Sequence, residues 1–509
     1  MTDRSTMGQI LASAPAQNNA LTAPDRPALS YGELVSFVEE TGGLLRSAGI
    51  ARSDKVAIVL PNGPEMASAF LAVANAAVAA PLNPNYKKDE FAFYMDDLKA
   101  GLLICDDSDG PAAQAAKEQG IRIAVISVDA ADPAGRFSID IEGTGTCPLD
   151  EAQPDDACLV LHTSGTTSRP KIVPLSQLNL ATSAKNIAGA LELVSGDICM
   201  NIMPLFHIHG LIAAVSSTMS AGAEIYCTPG FNALKVFAWI EDCKPTWYTA
   251  VPTMHQAILG RAARNPDIVA NMKLRFIRSS SSSLPPTVMA ELEEAFGCPV
   301  VEAYGMTEAT HQMASNPIGK GQQIPGSVGK AAGPKVAIYG ENGLTTDADV
   351  IGEICISGAN VTVGYESNEK ANAENFFMHG DERWFRTGDQ GRLDAEGYLY
   401  ITGRLKEIIN RGGEKISPRE VDEVLMEHPA VNQAVTFAVK HPQLGEDVAA
   451  AVVLNEGSET DAKDIRAFTG QKLAGFKVPR QILILDEIPK GATGKLQRIG
   501  LAKMLGLEE

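Results

Sequence analysis

Zinc-binding signatures are missing from this sequence, which contains no CxxC pair and no HExxH motif. These spacings are the usual local signs of a structural or catalytic zinc site, so we expect no zinc. The eight cysteines lie singly at positions 105, 147, 158, 199, 227, 243, 298 and 355. Isolated cysteines are typical of a reduced protein in the cytoplasm.

Long hydrophobic runs are also missing. The most apolar stretch, residues 69–82, contains Asn75 and Pro81 and is shorter than the ~20 residues that span a bilayer. The N-terminus lacks the basic and then apolar layout of a signal peptide, and the C-terminus carries no peroxisomal tripeptide. We therefore expect a cytoplasmic protein without a membrane partner.

Positive charge is scarce, because 43 Lys and Arg residues face 62 Asp and Glu residues and the net charge is −19. A nucleic-acid partner needs a basic face, so none is expected. Two nucleotide signatures are absent as well: no GxxxxGK[ST] and no GxGxxG spacing occurs. These absences disfavour a Walker loop and a Rossmann dinucleotide site, but they do not exclude a local nucleotide-binding pocket of another type.

The chain of 509 residues, 45 % of them hydrophobic, is long enough for two or three domains. Short apolar strands such as residues 55–60 and 158–161 alternate with helical patterns through the first 400 residues. This alternation predicts an α/β domain of mostly parallel sheets covered by helices. Glycine-punctuated strands over about 329–402 predict a β-rich subdomain within it. We place the large domain at 1–405.

A smaller α+β unit is predicted at 406–509. Ser417-Pro418 reads as the start of a helix, with serine as the cap and proline in the first turn. Strand patterns follow at 431–439 and 448–454, then a helix near 461–473 and a strand at 481–485. The boundary is predicted close to Lys406.

The densest chemical signal is the segment 163–171, which directly follows the predicted strand ending at Leu161. It reads Thr-Ser-Gly-Thr-Thr-Ser-Arg-Pro-Lys. Hydroxyl and backbone N–H groups at this density, with two cationic side chains, suit a polyphosphate. Alone, such a loop would be structural about as often as functional, so the interpretation depends on the motifs that follow it.

Five further motifs follow in order: PLFHIHG at 204–210, EAYGMTE at 302–308, WFRTGD at 384–389, GRLKE at 403–407 with RGGEK at 411–415, and PKGATGK at 489–495. Together with the loop at 163–171, they resemble the adenylate-forming superfamily of acyl-CoA synthetases, luciferase-like enzymes and peptide-synthetase adenylation domains. The resemblance covers nearly the whole chain. It implies activation of a carboxylate by ATP, with Mg²⁺, and transfer of the acyl group to coenzyme A.

The resemblance also implies residue roles. For the phosphates and Mg²⁺ it points to Thr163, Ser164, Gly165, Thr166, Thr167 and Lys171, with Thr307 at the α-phosphate and Glu308, together with Thr166, at the metal. For the adenosine it points to Glu302, Ala303, Tyr304, Asp389 and Arg404. Lys495 would approach the reacting carboxylate from a mobile small domain that pivots at Lys406. Gly412 and Gly413 would then admit the pantetheine arm.

One position departs from the superfamily pattern. Ile172 stands where the phosphate loop commonly has glycine, and a β-branched residue excludes positive φ. The departure bears on the mobility of the loop, whereas Lys171 is retained.

For the acid, the sequence resembles oxalate–CoA ligases of plants and microbes in residues 246–253, 274–279 and 308–311. A small dianion needs hydrogen-bond donors and positive charge, whereas a fatty acid needs apolar walls. The candidates are Ser281, His209 and His311 for binding and His207 for catalysis. One of the histidines at 207 and 209 is equally open to a core or gating role, and Ser283 is expected to cap the following helix.

Three alternatives stay open. The acid could be malonate or another short carboxylate, or the enzyme could load a carrier protein instead of free CoA, although the chain has no appended carrier domain. The third is a luciferase-like oxygenase or a silent homologue, and silence is disfavoured by the intact Glu308, Asp389, Arg404 and Lys495. A monomer or homodimer is expected.

Overall fold

The computed structural model describes residues 4–141, 145, 147, 150–163, 170–319, 321–489 and 498–507. The chain divides into two compact units. The first comprises the described parts of residues 1–163, 170–336 and 356–385, and the second those of residues 337–355 and 386–509.

The strands follow one another as β1 (Asn19–Thr22), β2 (Leu29–Ser30), β3 (Lys55–Val59), β4 (Val78–Pro81), β5 (Leu102–Cys105), β6 (Arg122–Ser127), β7 (Ser138–Ile141), β8 (Ala157–Thr163), β9 (Lys171–Ser176), β10 (Ile198–Asn201), β11 (Glu224–Cys227), β12 (Trp247–Ala250), β13 (Phe276–Ser279), β14 (Val300–Met306), β15 (His311–Ser315), β16 (Lys330–Ala331), β17 (Lys335–Gly340), β18 (Gly343–Thr345), β19 (Gly352–Ser357), β20 (Phe376–His379), β21 (Glu382–Leu393), β22 (Leu399–Arg404), β23 (Ile409–Arg411), β24 (Glu414–Ile416), β25 (Val431–His441), β26 (Gly445–Leu454) and β27 (Gln481–Ile484).

The α-helices are α1 (Met7–Ala12), α2 (Tyr31–Ser47), α3 (Pro64–Ala76), α4 (Lys88–Leu98), α5 (Pro111–Gln119), α6 (Gln177–Ala190), α7 (Ser217–Ser220), α8 (Val236–Cys243), α9 (Pro252–Ala262), α10 (Pro266–Asn271), α11 (Pro286–Phe296), α12 (Glu369–Asn375), α13 (Pro418–Met426), α14 (Ala462–Lys472) and α15 (Leu501–Met504). A π-helix spans His209–Ser216, and a short 3₁₀ helix spans Thr307–Ala309.

Two mixed, mainly parallel sheets form the first unit. One has the order β16-β15-β14-β13-β12-β10-β11-β1-β2, and the other has the order β7-β6-β5-β3-β4-β8-β9. Their central strands are parallel neighbours, and antiparallel pairs lie toward the sheet edges. Continuous apolar strands packed under helices bury the core, as at β5, where all four residues are apolar and buried.

The second unit contains antiparallel hairpins and a five-stranded sheet. β17 pairs with β18, and β21 pairs with β22. Toward the C-terminus the sheet has the order β24-β23-β26-β25, with β27 parallel to β26. Apolar residues of α13, α14 and one face of this sheet form a buried cluster, which includes Val421, Leu425, Val452 and Ile465.

The fold-class prediction is confirmed: an α/β unit, β-rich segments and a smaller C-terminal α+β part are all present. Ser417 caps α13 as predicted, because its side chain accepts a hydrogen bond from the N–H of Glu420. The predicted cap at Ser283 is wrong, since α11 begins at Pro286 with Pro285 at the N-cap position and no side-chain cap bond. The domain boundary near Lys406 and the mobility of the small domain stay predictions.

All eight cysteines are free. Burial raises the pKa of the thiols of Cys105, Cys158, Cys199, Cys227, Cys243, Cys298 and Cys355. Among the described residues, no helix combines the length and the apolar character that crossing a membrane requires.

Candidate active site

Three parallel strands of the nine-stranded sheet, β10, β13 and β14, carry predicted site residues at or beyond their carboxyl ends, and β12 lies between β10 and β13. The carboxyl edge of such a sheet is where ligands bind in α/β proteins, because the loops that leave the strands converge there. The PLFHIHG motif (204–210) follows β10, the serine run (residues 279–283) begins at the last residue of β13, and the 3₁₀ helix follows β14.

His209 links three of these segments. Its Nδ1 lies 3.0 Å from the Ser281 Oγ, and its Nε2 lies 2.6 Å from the Thr249 Oγ1. The ring centroid of His311 lies 5.0 Å from that of His209. Both histidines are buried, whereas Ser281 is exposed. The structure thus brings the three predicted acid-binding residues into one cluster, and their binding role stays a prediction.

His209 is also the first residue of the π-helix, a geometry that is often found at functional sites. The next residue must be glycine, because a Cβ at Gly210 would lie 2.3 Å from the backbone oxygen of Pro204. His207, two residues earlier, is half-buried, and its ring packs against Phe206 at a centroid distance of 4.6 Å. Of the two histidines, His209 is therefore the one hydrogen-bonded to Ser281.

Arg278 lies behind this cluster in β13 and is fully buried. Its Nη1 lies 3.4 Å from the His209 Nε2 and 3.3 Å from the Thr249 Oγ1, and its Nη2 lies 3.2 Å from the Gln312 Oε1. Burial lowers the pKa of Arg278 to about 9, so the guanidinium stays charged at neutral pH.

His311 lies in a strained turn between β14 and β15. Thr310 and His311 adopt φ values of 50° and 91°, in the region that residues with a Cβ rarely occupy. Asn360 holds this turn: its Nδ2 donates to the oxygens of Ala309 at 2.8 Å and Gln312 at 3.1 Å. Its own backbone oxygen accepts from the Thr310 Oγ1 at 2.7 Å. The turn is therefore fixed from both sides.

Glu308, the predicted metal ligand, is buried in the 3₁₀ helix, where its Oε1 accepts a hydrogen bond of 2.9 Å from the Tyr365 hydroxyl. Burial, with the Glu308 charge beside it, raises the pKa of Tyr365, so the phenol stays protonated and donates. The Nζ of Lys171 lies 4.2 Å from the centroid of the Tyr365 ring. Tyr365 thereby contacts both Glu308 and Lys171, the carboxylate and the cation of two predicted phosphate-binding motifs.

This arrangement fits Mg²⁺. That ion is held in nucleotide enzymes by one or two carboxylates together with substrate phosphates and water, rather than by a protein cage. Glu308 offers one carboxylate beside the lysine of the phosphate loop. Within the described part of the chain, no group of three or more His, Cys, Asp or Glu side chains is arranged to hold a metal.

The polyphosphate segment leaves β8 at Thr163 and returns at Lys171 in β9, and these two residues are cross-strand partners. Ser164, Gly165, Thr166 and Thr167 lie outside the described residues. Ile172 is buried and belongs to an apolar cluster, so its side chain contributes to the core. That packing explains why a β-branched residue is accommodated after Lys171.

Glu302 and Ala303 contact the serine run. The Glu302 Oε1 accepts from the N–H of Leu284 at 3.1 Å, and the Ala303 oxygen accepts from the Ser280 Oγ at 2.8 Å. Tyr304 follows in β14, and the Thr307 oxygen accepts the N–H of Thr310 at 2.9 Å. These contacts position the serine run, and the nucleotide roles of Glu302, Ala303, Tyr304 and Thr307 stay predictions.

Asp389 and Arg404 are cross-strand partners in the second unit. The Arg404 Nε lies 3.0 Å from the buried Asp389 Oδ1. The Asp389 N–H donates to the Thr387 Oγ1 at 3.1 Å, which fixes the strand at this position. The pair thus presents a carboxylate beside a guanidinium, and the ribose roles of both residues stay predictions.

Gly412 and Gly413 form the two-residue turn between β23 and β24, with φ values of 61° and 98°. A tight hairpin turn of this kind needs positive φ at both positions, which glycine adopts without strain. Lys406 is exposed between β22 and β23. Lys495 lies outside the described residues.

From the sequence, no role was assigned to five residues of the cluster and its surroundings, Arg278, Thr249, Gln312, Asn360 and Tyr365, although Thr249 and Arg278 lie in the segments 246–253 and 274–279. A signal did exist for Arg278, since it is a charged residue inside the apolar strand Phe276-Ile277-Arg278. The other four are neutral polar residues that become distinctive only through the contacts given above.

Comparison with known proteins gives a consistent family. The chain matches the AMP-binding enzyme family over residues 11–366 and the AMP-binding enzyme C-terminal domain over residues 420–495. It is 45 % identical over 501 residues to the oxalate–CoA ligase of Arabidopsis thaliana, covering 95 % of this chain and 96 % of that protein. It is 40 % identical over 480 residues to the oxalate–CoA ligase of Saccharomyces cerevisiae, covering 89 % and 87 %.

Among solved structures, the fold is similar to the ATP-bound MatB from Rhodopseudomonas palustris. The TM-score is 0.85 at 27 % identity, with 98 % of this chain and 99 % of that one covered. Motifs, architecture and comparisons agree on one conclusion. The chain belongs to the AMP-binding enzyme family, and it is an ATP-dependent acid–CoA ligase that works through an acyl-adenylate.

Proposed function

We propose that the acid is oxalate, so that oxalate, ATP and CoA give oxalyl-CoA, AMP and pyrophosphate. The observation that supports oxalate is the hydrogen-bonded row of polar side chains Thr249, His209 and Ser281 beside His311. An apolar acid would need apolar walls there instead. The two relatives described above, at 45 % and 40 % identity, are oxalate–CoA ligases.

The reaction has two steps, adenylation of the acid and transfer of the acyl group to CoA. One carboxylate oxygen attacks the α-phosphorus of ATP and pyrophosphate leaves, which converts a poor electrophile into a mixed anhydride. The sulfur of CoA then attacks the acyl carbon, AMP leaves with the electron pair of the broken C–O bond, and the thiol proton is released. Both steps develop negative charge, which preorganised donors and cations stabilise.

For the acid, we propose that Ser281 and His311 donate hydrogen bonds to the carboxylates and that His209 orients Ser281. His207, half-buried two residues away, is proposed to act in catalysis. Charge-assisted hydrogen bonds from such donors suit the two carboxylates of oxalate.

For the nucleotide, we propose that Tyr304 stacks on the adenine, that Asp389 accepts hydrogen bonds from the ribose hydroxyl groups, and that Arg404 braces the same ribose. Lys171 and Thr307 contact the phosphates, and Glu308 with Thr166 holds Mg²⁺, which would neutralise phosphate charge. Lys495 acts in the adenylation step. Gly412 and Gly413 admit the pantetheine arm.

We further propose a boundary near Lys406 between a large domain and a mobile small one, a cytoplasmic location and a monomeric or homodimeric enzyme. The free cysteines are in keeping with a reducing compartment. Size-exclusion chromatography with light scattering measures the oligomeric state directly.

Pyrophosphate release tests the choice of acid, using oxalate, malonate, acetate, coumarate and octanoate, each with and without CoA. We expect the highest kcat/KM for oxalate and CoA-dependent turnover. Faster turnover of coumarate or octanoate would refute a polar acid site, and faster turnover of malonate would transfer the assignment to a longer diacid. A carrier-loading enzyme would release pyrophosphate without forming a CoA thioester.

A further inference from the structure

Arg278 is a buried cation whose hydrogen-bonding side chains include no acid. The guanidinium contacts a histidine, a threonine hydroxyl and a glutamine amide oxygen. Among the described residues, no carboxylate pairs with it, and its Nε has no hydrogen-bond partner. Burying a charge without a counter-ion costs free energy, so an arginine in this position needs a reason.

The hydrogen bonds around Arg278 have a fixed direction. A guanidinium has only donors, so the Thr249 Oγ1 at 3.3 Å must accept from it. The single Thr249 proton can then go to the His209 Nε2 at 2.6 Å. A proton on the His209 Nε2 would instead face the donors of the Arg278 Nη1 at 3.4 Å, which is unfavourable.

The same donor-to-acceptor order extends from His209 to the exposed residue Ser281. With the Nε2 of a neutral His209 as an acceptor, the ring proton lies on Nδ1 and is donated to the Ser281 Oγ at 3.0 Å. The Ser281 hydroxyl proton is then left for another acceptor. Ser281 is an exposed residue, and its backbone is strained at a φ of 73°.

We propose that Arg278 is a specificity-determining positioning residue of the acid site. It turns Ser281 into a hydrogen-bond donor through Thr249 and His209, and it supplies the fixed positive charge that selects a doubly charged acid over a singly charged one. The inference rests on the proposed function in one respect, since it takes the acid to bind at Ser281.

Oxamate separates charge from shape. It has nearly the size and planarity of oxalate, but a neutral amide replaces one carboxylate. The ratio of kcat/KM for oxalate to kcat/KM for oxamate therefore measures how strongly the site favours the second negative charge. We expect the unsubstituted enzyme to prefer oxalate.

Gln312→Glu tests the charge without removing Arg278. The new carboxylate would lie at the Oε1 position, 3.2 Å from the Arg278 Nη2, and would neutralise the guanidinium while keeping their contact. Gln312→Met is the matched control, because both variants lose the donation from the Gln312 Nε2 to the Ala332 oxygen. Melting temperatures check that each variant is folded.

We expect Gln312→Glu to lower the oxalate-to-oxamate ratio about 10- to 100-fold relative to Gln312→Met, mainly through the KM for oxalate. Equal ratios in the two variants would mean that Arg278 has only a structural role. Thr249→Val tests the relay separately, because it removes the hydroxyl and keeps the charge. It should lower kcat/KM for both acids, and unchanged turnover of both would overturn the relay.

Failure of the proposed function is recognised independently. If the unsubstituted enzyme prefers another acid in the pyrophosphate assay, oxalate is wrong. The same variants are then assayed with that acid and its monoamide, and a falling ratio in Gln312→Glu still supports Arg278 as the selecting charge. An unchanged ratio there overturns the inference about Arg278 as well.

Discussion

At the scale of single residues, the carboxylate of Glu308 is oriented by the hydroxyl of Tyr365 at 2.9 Å. We expect Glu308→Gln to fold but to lose adenylation about 10²–10³-fold, because a neutral amide is a weak ligand for a hard cation. Tyr365→Phe should cost less, about 1.5–3 kcal/mol in transition-state binding, since it removes only one hydrogen bond to a charge.

The measurement is ATP–pyrophosphate exchange over a range of Mg²⁺ concentrations. The Glu308→Gln enzyme should need more Mg²⁺ and should not recover full activity at saturation. Full exchange activity at saturating Mg²⁺ would remove Glu308 from the metal site.

His311 gives a second prediction at this scale. His311→Ala should raise the KM for oxalate by the loss of one charge-assisted hydrogen bond, typically about 1.5–3 kcal/mol. The KM for ATP should change little. An effect on ATP equal to that on oxalate would place His311 at the nucleotide instead of the acid.

Single residues also show which features of the site cannot be predicted from the sequence. Arg275 stands just before the strand Phe276–Ser279 and Arg278 within it. Only the structure shows their partners: Arg275 forms an ion pair with Asp197, while Arg278 is buried with no acidic partner among its hydrogen bonds. Ser281, His209 and His311 could be predicted because they lie within or beside motifs. Thr249 and Gln312 could not, since their importance comes from what they contact.

At the scale of elements, the β14–β15 hairpin depends on a close backbone approach. A Cβ at Gly305 would lie 2.0 Å from the backbone oxygen of His311, so no side chain fits there. We expect Gly305→Ala to displace His311 and to lower kcat/KM about 10²-fold, the usual effect of a misplacement of about 1 Å.

Gly189→Ala is the control for that substitution, because Gly189 lies in α6 with nothing within 4 Å of the added Cβ. It should stabilise the helix by about 1 kcal/mol and leave turnover unchanged. If Gly305→Ala and Gly189→Ala had the same kinetics, the close approach at Gly305 would not matter for catalysis.

Secondary-structure elements were predicted best where a rule of local sequence alone determines their ends. The cap at Ser417 needs only a serine followed by proline and glutamate, and it is observed. The cap at Ser283 failed because two prolines follow, and the second one begins the helix. The π-helix at His209 and the strained turn at Thr310–His311 could not be predicted, since tertiary contacts impose both conformations.

At the scale of the whole molecule, the two half-reactions should be separable. We predict that Lys495→Ala abolishes acyl-AMP formation, by about 10²–10³-fold, while supplied acyl-AMP is still converted to thioester. Gly413→Leu should show the reverse, because a side chain at φ 98° strains the hairpin proposed to admit the pantetheine arm.

Both half-reactions are measured for both variants. Gly457→Leu is the matched control, since Gly457 also has positive φ and nothing within 4 Å of an added Cβ, but lies away from any predicted site residue in sequence. Equal damage to both steps in each variant would mean that one fixed arrangement serves both reactions.

The buried cysteines have a consequence for an enzyme that makes acylating agents. An acyl-adenylate and a thioester react with thiolates, and a thiol attacks only after it loses its proton. Burial raises the pKa of seven of the eight cysteines, with Cys105 at about 11, so these thiols stay protonated at neutral pH. Self-acylation at these seven thiols is therefore disfavoured in competition with the sulfur of coenzyme A.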